Sequence, residues 1–244
     1  MHELFGMTLY FSDMLPIGYF IIYLPFVLFV IWLVYKLILK RISIASIRLT
    51  STILFSLILL GLPWLDVYRI SHEAGSVCKE QGGLHIFKTV EADGFIGGLI
   101  EDESKYGFNF TEGSDGKNNK FRWTMVDGKA VKEKISDYKS RYELQIKEKR
   151  VRINGYLQRT RYQVDDRISG EVLGELVIIN IRSTLLDAFF LSSVGGSVTG
   201  WRCGNEAPEG EGGYEPNSKK YLYGPSDLIK AILKPKKQNK GEEE

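Results

Sequence analysis

The chain contains few side chains of the types that perform chemistry, and they are widely spaced. Its two cysteines are Cys78 and Cys203, and its three histidines are His2, His72 and His85. A structural zinc ion takes four Cys or His ligands at short spacings such as C-x-x-C, and these residues have no such spacing. We therefore predict no metal site. Two interpretations of the cysteines remain, a disulfide or two separate buried thiols.

Two serine–lysine pairs have the S-x-x-K spacing of acyl-transfer enzymes, namely Ser76 with Lys79 and Ser136 with Lys139. The companion S-D-N and K-T-G motifs are missing, and a chain rich in serine and lysine produces such pairs by chance. The glycine pairs at 97–98 and 195–196 lack the strand, lysine and helix of a phosphate-binding loop. We predict no catalytic residue and no cofactor. A hydrolase using Ser136 and Lys139, or Ser197, is the last of our three functional alternatives.

Two apolar runs precede residue 66. The first extends from 17 to 39 with one charge, Lys36, and the second from 42 to 65 with Arg48 near its start. Each is close to the ~20 residues that cross a hydrocarbon layer of ~30 Å. The first run is too long for a cleaved signal peptide, and acidic rather than basic residues precede it. We predict a short tail, residues 1–16, followed by a transmembrane hairpin, residues 17–65.

The short connection of this hairpin is basic, with Lys36, Lys40, Arg41 and Arg48. The tail before the first run has two charged side chains, Glu3 and Asp13, and both are acidic. Basic residues in short loops are retained in the cytoplasm, so both chain termini are expected outside it. That compartment is oxidising, which favours a disulfide between Cys78 and Cys203. By chain entropy, a bridge closing so long a loop contributes roughly 4–5 kcal/mol.

The segment after the hairpin is electrically neutral. Four of the 32 basic and two of the 30 acidic residues precede Asp66, so the remainder carries 28 of each. A neutral domain lacks the positive surface that binds phosphate backbones, and we predict no nucleic-acid partner. We assign residues 66–234 to one domain outside the cytoplasm and residues 235–244 to a disordered tail.

The first part of this domain is predicted as a helix and short strands. The helix continues the second apolar run and ends at Gly82-Gly83, because glycine accepts the backbone conformation that closes a helix. A strand follows from Leu84 to Glu91, and Asp93-Gly94 and Asp127-Gly128 have the composition of two-residue hairpin turns. The polar stretch from Glu101 to Lys120 is predicted as a long loop around a short strand, Tyr106–Phe110.

Residues 137–182 have the alternation of three longer strands. Tyr142, Leu144 and Ile146 share one parity, whereas Val151 and Ile153 have the other, which predicts a bulge or turn at Glu148–Arg150. The most apolar strand, Val172–Ile181, is expected at the centre of the sheet. After it we predict a polar loop from Glu206 to Lys220 and a short helix, Asp227–Leu233, capped by Ser226 and stopped by Pro235.

Two surfaces of the predicted domain are candidate contacts. Nine basic residues between Lys139 and Arg167 indicate a basic face, for which we select Arg150, Arg152, Arg159 and Arg161. The alternative is a solvated face of edge strands that lysine and arginine protect from aggregation. The stretch from Thr184 to Gly204 is either a cover for the sheet or a contact patch formed by Leu185, Leu186, Phe189 and Phe190.

The sequence CKEQGGLHIFKTVEADGF, from Cys78 to Phe95, resembles a pattern in uncharacterised bacterial inner-membrane proteins. In that pattern a cysteine, a glycine pair and a strand with Thr-Val follow an anchor helix. The resemblance covers less than a tenth of the chain and brings no functional residues with it. It implies a location in the bacterial cell envelope.

The predicted fold class is membrane-anchored α+β: a two-helix transmembrane hairpin, then a mainly antiparallel sheet domain with a membrane-proximal helix and a short C-terminal helix. The predicted location is the bacterial inner membrane, with the domain in the periplasm. We predict a non-enzymatic partner-binding or assembly component of the envelope, in contact with the lipid bilayer and with a protein partner or further copies of itself. The second alternative is a periplasmic ligand-sensing domain coupled to the membrane helices.

Overall fold

A computed structural model describes residues 2–4, 7–11, 14–41, 43–97, 107–115, 119–126, 129–184, 188–189, 200–215 and 220–236. The chain divides into two compact units. The first comprises Met1–Val77, Asn154–Leu157 and Ile181–Trp201, and the second comprises Cys78–Ile153, Gln158–Asn180 and Arg202–Glu244.

Two helical segments are long and apolar enough to cross a membrane, Leu15–Arg41 and Ala45–Gln81, and they contain 18-residue windows with mean hydropathies of 2.5 and 1.8. The first segment and the second as far as Val77 belong to the first unit. The first segment consists of α1 (Met14–Gly18), a π-helical turn (Tyr19–Tyr23), α2 (Leu24–Leu37) and a 3₁₀ turn (Leu39–Arg41). The second is a single helix, α3 (Ala45–Gln81). Both apolar runs are therefore helical, and α3 continues beyond the second run as predicted.

Tyrosines of the first helical segment satisfy carbonyl groups of α3. Pro63 lies inside α3 and has no N–H, so the carbonyl of Leu59, four residues earlier, loses its helical donor. The Tyr23 hydroxyl donates to that carbonyl at 2.6 Å, and the Tyr19 hydroxyl donates to the Leu60 carbonyl at 3.0 Å. Where no water reaches it, such a group must find a partner inside the protein, so these bonds permit proline in α3.

The N-terminal tail has structure that its sequence did not indicate. Two short strands, β1 (His2–Leu4) and β2 (Met7–Leu9), pair antiparallel. After β2, the backbone N–H of Tyr10 donates to the Ser71 hydroxyl at 3.0 Å, and Phe11 packs in a cluster with Leu15 and Val67. The tail therefore packs against α3 within the first unit.

The second unit is built on a mixed, mostly antiparallel nine-stranded sheet, with the order β12-β11-β10-β9-β5-β6-β7-β8 and with β3 also paired to β11. Its strands are β3 (Gly83–Ile86), β5 (Gly94–Ile96), β6 (Phe110–Ser114), β7 (Lys120–Val126), β8 (Lys129–Ile135), β9 (Tyr142–Arg152), β10 (Leu157–Asp166), β11 (Val172–Ile181) and β12 (Trp201–Cys203). Strand β11 pairs with strands on both sides, but it is second in the order and does not lie at the centre of the sheet as predicted. The strands on either side of Asp127-Gly128 pair antiparallel, with Val126 opposite Lys129, whereas Asp127 and Gly128 themselves lie outside the described residues.

The region before β6 differs from the prediction. The expected strand Leu84–Glu91 is two strands, β3 and β4 (Val90–Ala92), and Asp93-Gly94 does not make a hairpin because β4 and β5 belong to different sheets. Gly94 instead permits a close approach: a Cβ there would lie 2.3 Å from the Phe110 carbonyl oxygen. The strand predicted at Tyr106–Phe110 begins at Phe110, and Tyr106 lies outside the described residues.

The predicted bulge in β9 is present and is double. Arg159 pairs with Val151, Arg161 with Glu148, and Tyr162 with Ile146, so β9 gains one residue on β10 at each of these two steps. An extra residue reverses the side of the sheet that the following side chains face. Two such reversals cancel, so Tyr142, which lies opposite Asp166, and Val151, which lies opposite Arg159, face opposite sides of the sheet.

A helix covers one face of this sheet. The helix α4 (Pro225–Ile232) buries Leu228, Ile229 and Ile232, which pack with strand residues that include Phe95, Val164, Leu173, Leu176 and Ile178. Its N-cap is Gly224, whose N–H donates to the Asp227 carboxylate at 2.8 Å. Ser226 is inside the helix, so the predicted cap is wrong: Pro225 is suited to the first helical position, and the helix starts two residues earlier than predicted.

Three-residue and two-residue strands replace the predicted polar loop from Glu206 to Lys220. They are β13 (Glu206–Ala207), β14 (Gly213–Glu215) and β15 (Lys220–Leu222), in the order β13-β15-β14. After α4, β16 (Leu233–Pro235) pairs in parallel with β4, so Pro235 belongs to a strand and not to a tail. Strands this short lack a visible alternation, which explains both errors.

The predicted disulfide between Cys78 and Cys203 is present. It joins the last turn of α3 to the end of β12, with the two Cα atoms 5.9 Å apart. Helix α3 ends at Gln81 as predicted, and Gly83 has a φ of 135°. The glycine pair also has a second purpose, since Gly82 contacts the backbone of Gly204 directly.

Candidate functional site

The predicted basic face divides into two groups of arginines. Arg159 is neutralised by Glu148, with Nε–Oε2 and Nη2–Oε1 distances of 2.5 and 3.1 Å, and it also donates to Gln81 at 3.0 Å. Arg161 lies 3.7 Å from a carboxylate oxygen of Glu175. These two arginines therefore belong to a network with compensating acids. They do not form a free positive surface.

The two bulges of β9 lie among four consecutive charged residues, 147–150, and these residues differ in whether they have an ion-pair partner. Lys147 pairs with Asp165 at 2.7 Å and Glu148 pairs with Arg159, so both are neutralised by β10. The next two residues, Lys149 and Arg150, have no ion-pair partner among the described residues and line a groove in the second unit. The bulges thus place two cations beside each other without an acid.

The groove has a volume of about 160 Å³, roughly ten times what one water molecule requires. Arg202 of β12 supplies a third cation, and it too has no ion-pair partner in the described part of the chain. The floor is formed by Thr160 and Tyr162 of β10 and by Asn180 of β11. No carboxylate in the described part of the chain lines the groove. Its formal charge of about +3 is therefore uncompensated at neutral pH.

A hydrogen bond between two floor residues leaves a donor available. The side-chain N–H of Asn180 donates to the Thr160 hydroxyl oxygen at 3.1 Å. Because a hydroxyl has one hydrogen and two acceptor lone pairs, Thr160 retains its own O–H for another acceptor. Thr160 is 9% exposed, so the candidate acceptor for this hydrogen is a group inside the groove.

Arg150 adopts a backbone conformation that is unfavourable for its residue type. Its φ is 53°, and it is the single non-glycine residue with a positive φ in the described part of the chain. Such a conformation costs a non-glycine residue of order 1–3 kcal/mol, and these costs concentrate at functional sites. Glycine is the usual residue at left-handed bulge positions. Arginine at position 150 therefore lowers the stability of the fold relative to glycine.

A second cleft, of about 370 Å³, lies beside Arg159 and Arg161. Its lining includes Glu80 and Glu175 as well as the two arginines, so its charges compensate each other. His85 is also part of this lining. A cleft with balanced charge attracts no class of ion over another.

Two buried carboxylates of the second unit are structural. Glu112 is fully buried and accepts hydrogen bonds from Arg122 Nε at 2.9 Å and from the backbone N–H of Ser140 at 2.8 Å. Asp166, 2% exposed, accepts from Arg141 at 2.6 and 2.9 Å, and this guanidinium holds the pKa of the carboxyl well below its usual range. Backbone N–H and Ser169 donors lower that pKa further.

The other predicted residues are placed as follows. Phe189 is 56% exposed, whereas Leu185, Leu186 and Phe190 lie outside the described residues, so the apolar patch stays a prediction. Lys139 lies 5.7 Å from the centre of the Phe110 ring. Its motif partner Ser136 is exposed, and Ser197 is outside the described residues. Arg152 is also exposed. It lies opposite Gln158 of β10 in the strand register and does not line the groove.

Comparisons with known proteins give this chain no family. No family model matches it, and neither a curated protein nor a solved structure is similar to it at a significant level. Of the groove cations, the sequence analysis selected Arg150 alone. The adjacent basic residues Lys149 and Arg150 could have indicated Lys149 as well. No local pattern connects them to Arg202, which lies 52 positions after Arg150.

Proposed function

We propose that the protein is a two-pass inner-membrane protein whose sheet domain lies in the periplasm and binds a protein partner, as a non-enzymatic assembly component of the envelope. The apolar helices support the membrane part of this proposal. None of the most apolar stretch of α3 is buried by the described chain, and side chains such as Ile21 and Leu57 are 68% and 63% exposed. Exposed apolar surface of this extent is covered by lipid or protein.

The disulfide and the hairpin connection support the periplasmic location. A disulfide persists in an oxidising compartment and is rare in the cytoplasm. The four basic side chains at the connection favour its retention on the cytoplasmic side, which puts the chain after the second span on the opposite side. The two arguments are independent, because one uses residues 36–48 and the other uses Cys78 and Cys203.

The observation that carries partner binding is the exposure of β8. This strand is the last in the order of the nine-stranded sheet, and its outer edge pairs with no strand in the described part of the chain. Six of its seven residues are exposed. An outer edge presents unpaired backbone N–H and C=O groups, to which an extended segment of another chain adds as a further strand.

The charge of β8 defines the partner. Lys129, Lys132 and Lys134 outnumber the one acid of the strand, Glu133, and Val131 is 46% exposed between them. The lysines disfavour pairing with a second copy of the same basic strand, since like charges directly opposite are destabilising. We infer an extended acidic segment of another envelope protein as the occupant.

Site-specific photocrosslinking in intact cells tests this proposal. A photoreactive residue at position 131 should give an adduct of discrete mass, and mass spectrometry should identify an acidic segment as its partner. The matched control is position 168, where Ile168 is 78% exposed in the turn after β10. The variant K129E/K134E should abolish the adduct. Equal adducts at both positions, an adduct that survives the double variant, or none at position 131 would contradict β8 as the contact.

A second candidate function is ligand sensing by the periplasmic domain. The groove with three unpaired cations favours it, because that groove has the chemistry of a ligand site and not of a sheet edge. The two functions use different strands, β8 for a partner and β9 to β12 for a ligand. Variants can therefore separate them.

A further inference from the structure

We propose that the groove lined by Lys149, Arg150 and Arg202 binds a phosphate group, either free or in a lipid headgroup. The site lies wholly in the second unit and is independent of the partner proposed for β8. Four strands contribute to it: β9 with Lys149 and Arg150, β10 with Thr160, β11 with Asn180, and β12 with the third cation, Arg202.

Charge is the first argument. Two neighbouring cations have acidic partners, since Arg159 pairs with Glu148 and Lys147 pairs with Asp165. The three groove cations have none among the described residues, although Glu148 directly precedes Lys149 in the chain. The bulges of β9 keep that carboxylate with Arg159. An anion from outside the chain would replace the missing counter-charge.

The donor set is the second argument. Two guanidinium groups offer forked N–H donors, Lys149 offers a compact positive charge, and Thr160 retains one O–H whose oxygen already accepts from Asn180. These donors come from different strands around one space and are suited to an oxyanion with several acceptor oxygens. Phosphate provides such oxygens in a tetrahedral arrangement and commonly binds arginine through two parallel bonds.

The backbone of Arg150 is the third argument. A left-handed bulge position is occupied at least cost by glycine, and here it carries a guanidinium that lines the groove. If the side chain had no role, R150G would improve the fold at no cost in function. The role of the Arg150 side chain is then to bind the phosphate.

The test uses the full chain in nanodiscs and follows thermal unfolding. In the first arm, nanodiscs of phosphatidylcholine are titrated with inorganic phosphate, with sodium chloride at matched ionic strength as the blank. In the second arm, phosphate is left out and the nanodiscs contain phosphatidylglycerol. A saturable rise of the melting temperature in the first arm identifies a free phosphate ligand, and a rise confined to the second identifies a lipid headgroup.

Variants assign the effect to the groove. R150G and R202Q should each weaken binding about ten- to a hundredfold, as expected for loss of a charged hydrogen bond. R152Q removes the same charge from the same sheet outside the groove and should bind as the wild type does. R150G does not depend on a fold-disrupting change, since glycine is suited to its backbone. No rise in either arm, or equal weakening in R152Q and R202Q, would overturn the proposal.

Discussion

Gly82 and Gly204 contact each other through their backbones, beside the disulfide that joins Cys78 to Cys203. A Cβ at Gly82 would lie 2.5 Å from the Gly204 Cα, and one at Gly204 would lie 2.6 Å from the Gly82 Cα. Gly204 also has a φ of 83°, which favours glycine. The end of α3 and the end of β12 are therefore held by a covalent bond and by a contact that permits no side chain.

Replacing Gly82 with alanine should destabilise the protein by about 1–3 kcal/mol, because the added methyl group overlaps backbone atoms that the disulfide holds in place. The control is Gly75→Ala inside α3, where no atom apart from the adjoining helix backbone lies within 4 Å of the added Cβ. Alanine in a helix interior should stabilise by up to about 1 kcal/mol relative to glycine. Urea unfolding in detergent measures both. Equal effects of the two variants would contradict the close contact.

Loss of the disulfide should also lower stability. Its cysteines are separated by 125 positions, and chain entropy gives such a loop about 4–5 kcal/mol. Reduction should therefore lower the urea midpoint of the wild type and leave that of the double variant C78A/C203A unchanged. A wild type that unfolds at the same urea concentration with and without reductant would exclude a stabilising bridge.

Patterns that extend over several residues were sufficient to predict the hairpin helices, the continuation of α3 and the strand Val172–Ile181, although not its place in the sheet order. The position of the bulge was predicted from the opposite parity of Tyr142 and Val151, but its two extra residues leave these side chains on opposite faces. Asp93-Gly94 has the composition of a turn, but Gly94 is required by the nearby Phe110 backbone, a contact that no local pattern contains. The strands β13 to β16 are two or three residues long and too short for an alternation.

The candidate groove could be predicted only in part for a related reason. The sequence analysis assigned Arg150, Arg152, Arg159 and Arg161 to one face. The double bulge separates Arg150 from Arg159 and Arg161, and the latter two have acidic partners from other strands. Arg202 lies at the groove because its strand, β12, pairs with β11. Strand order depends on long-range packing that sequence parity does not encode.

Stability should decrease in acid partly because of Asp166. Its pKa is lowered in the folded state by Arg141, while the unfolded carboxyl has a pKa of about 3.9. Between these two values the unfolded chain binds more protons, so stability rises with pH. The contribution is fully present above about pH 5 and is lost as the pH falls through 3.9 toward the folded pKa.

Urea unfolding at pH 7 and pH 3 tests this coupling. The variant D166N should be less stable than the wild type at pH 7 and should lose less stability between the two pH values. Asp137 is the matched control, because its pKa is also lowered, by Lys120, but its side chain is 81% exposed. D137N should behave nearly as the wild type does, since exposed ion pairs contribute about 0–1 kcal/mol. Identical pH dependence in D166N and the wild type would rule out the Asp166 contribution.

The central claim is that the hairpin holds the sheet domain on the periplasmic side of the membrane, and reporter fusions test it most directly. Alkaline phosphatase, which is active only where its disulfides form, should be active when fused after Glu244 and inactive when fused after Arg41 in the connection. A cytoplasmic reporter such as β-galactosidase should give the opposite pattern at the same two positions. Inactive phosphatase together with active β-galactosidase after Glu244 would contradict the account, and with it the proposed partner on β8.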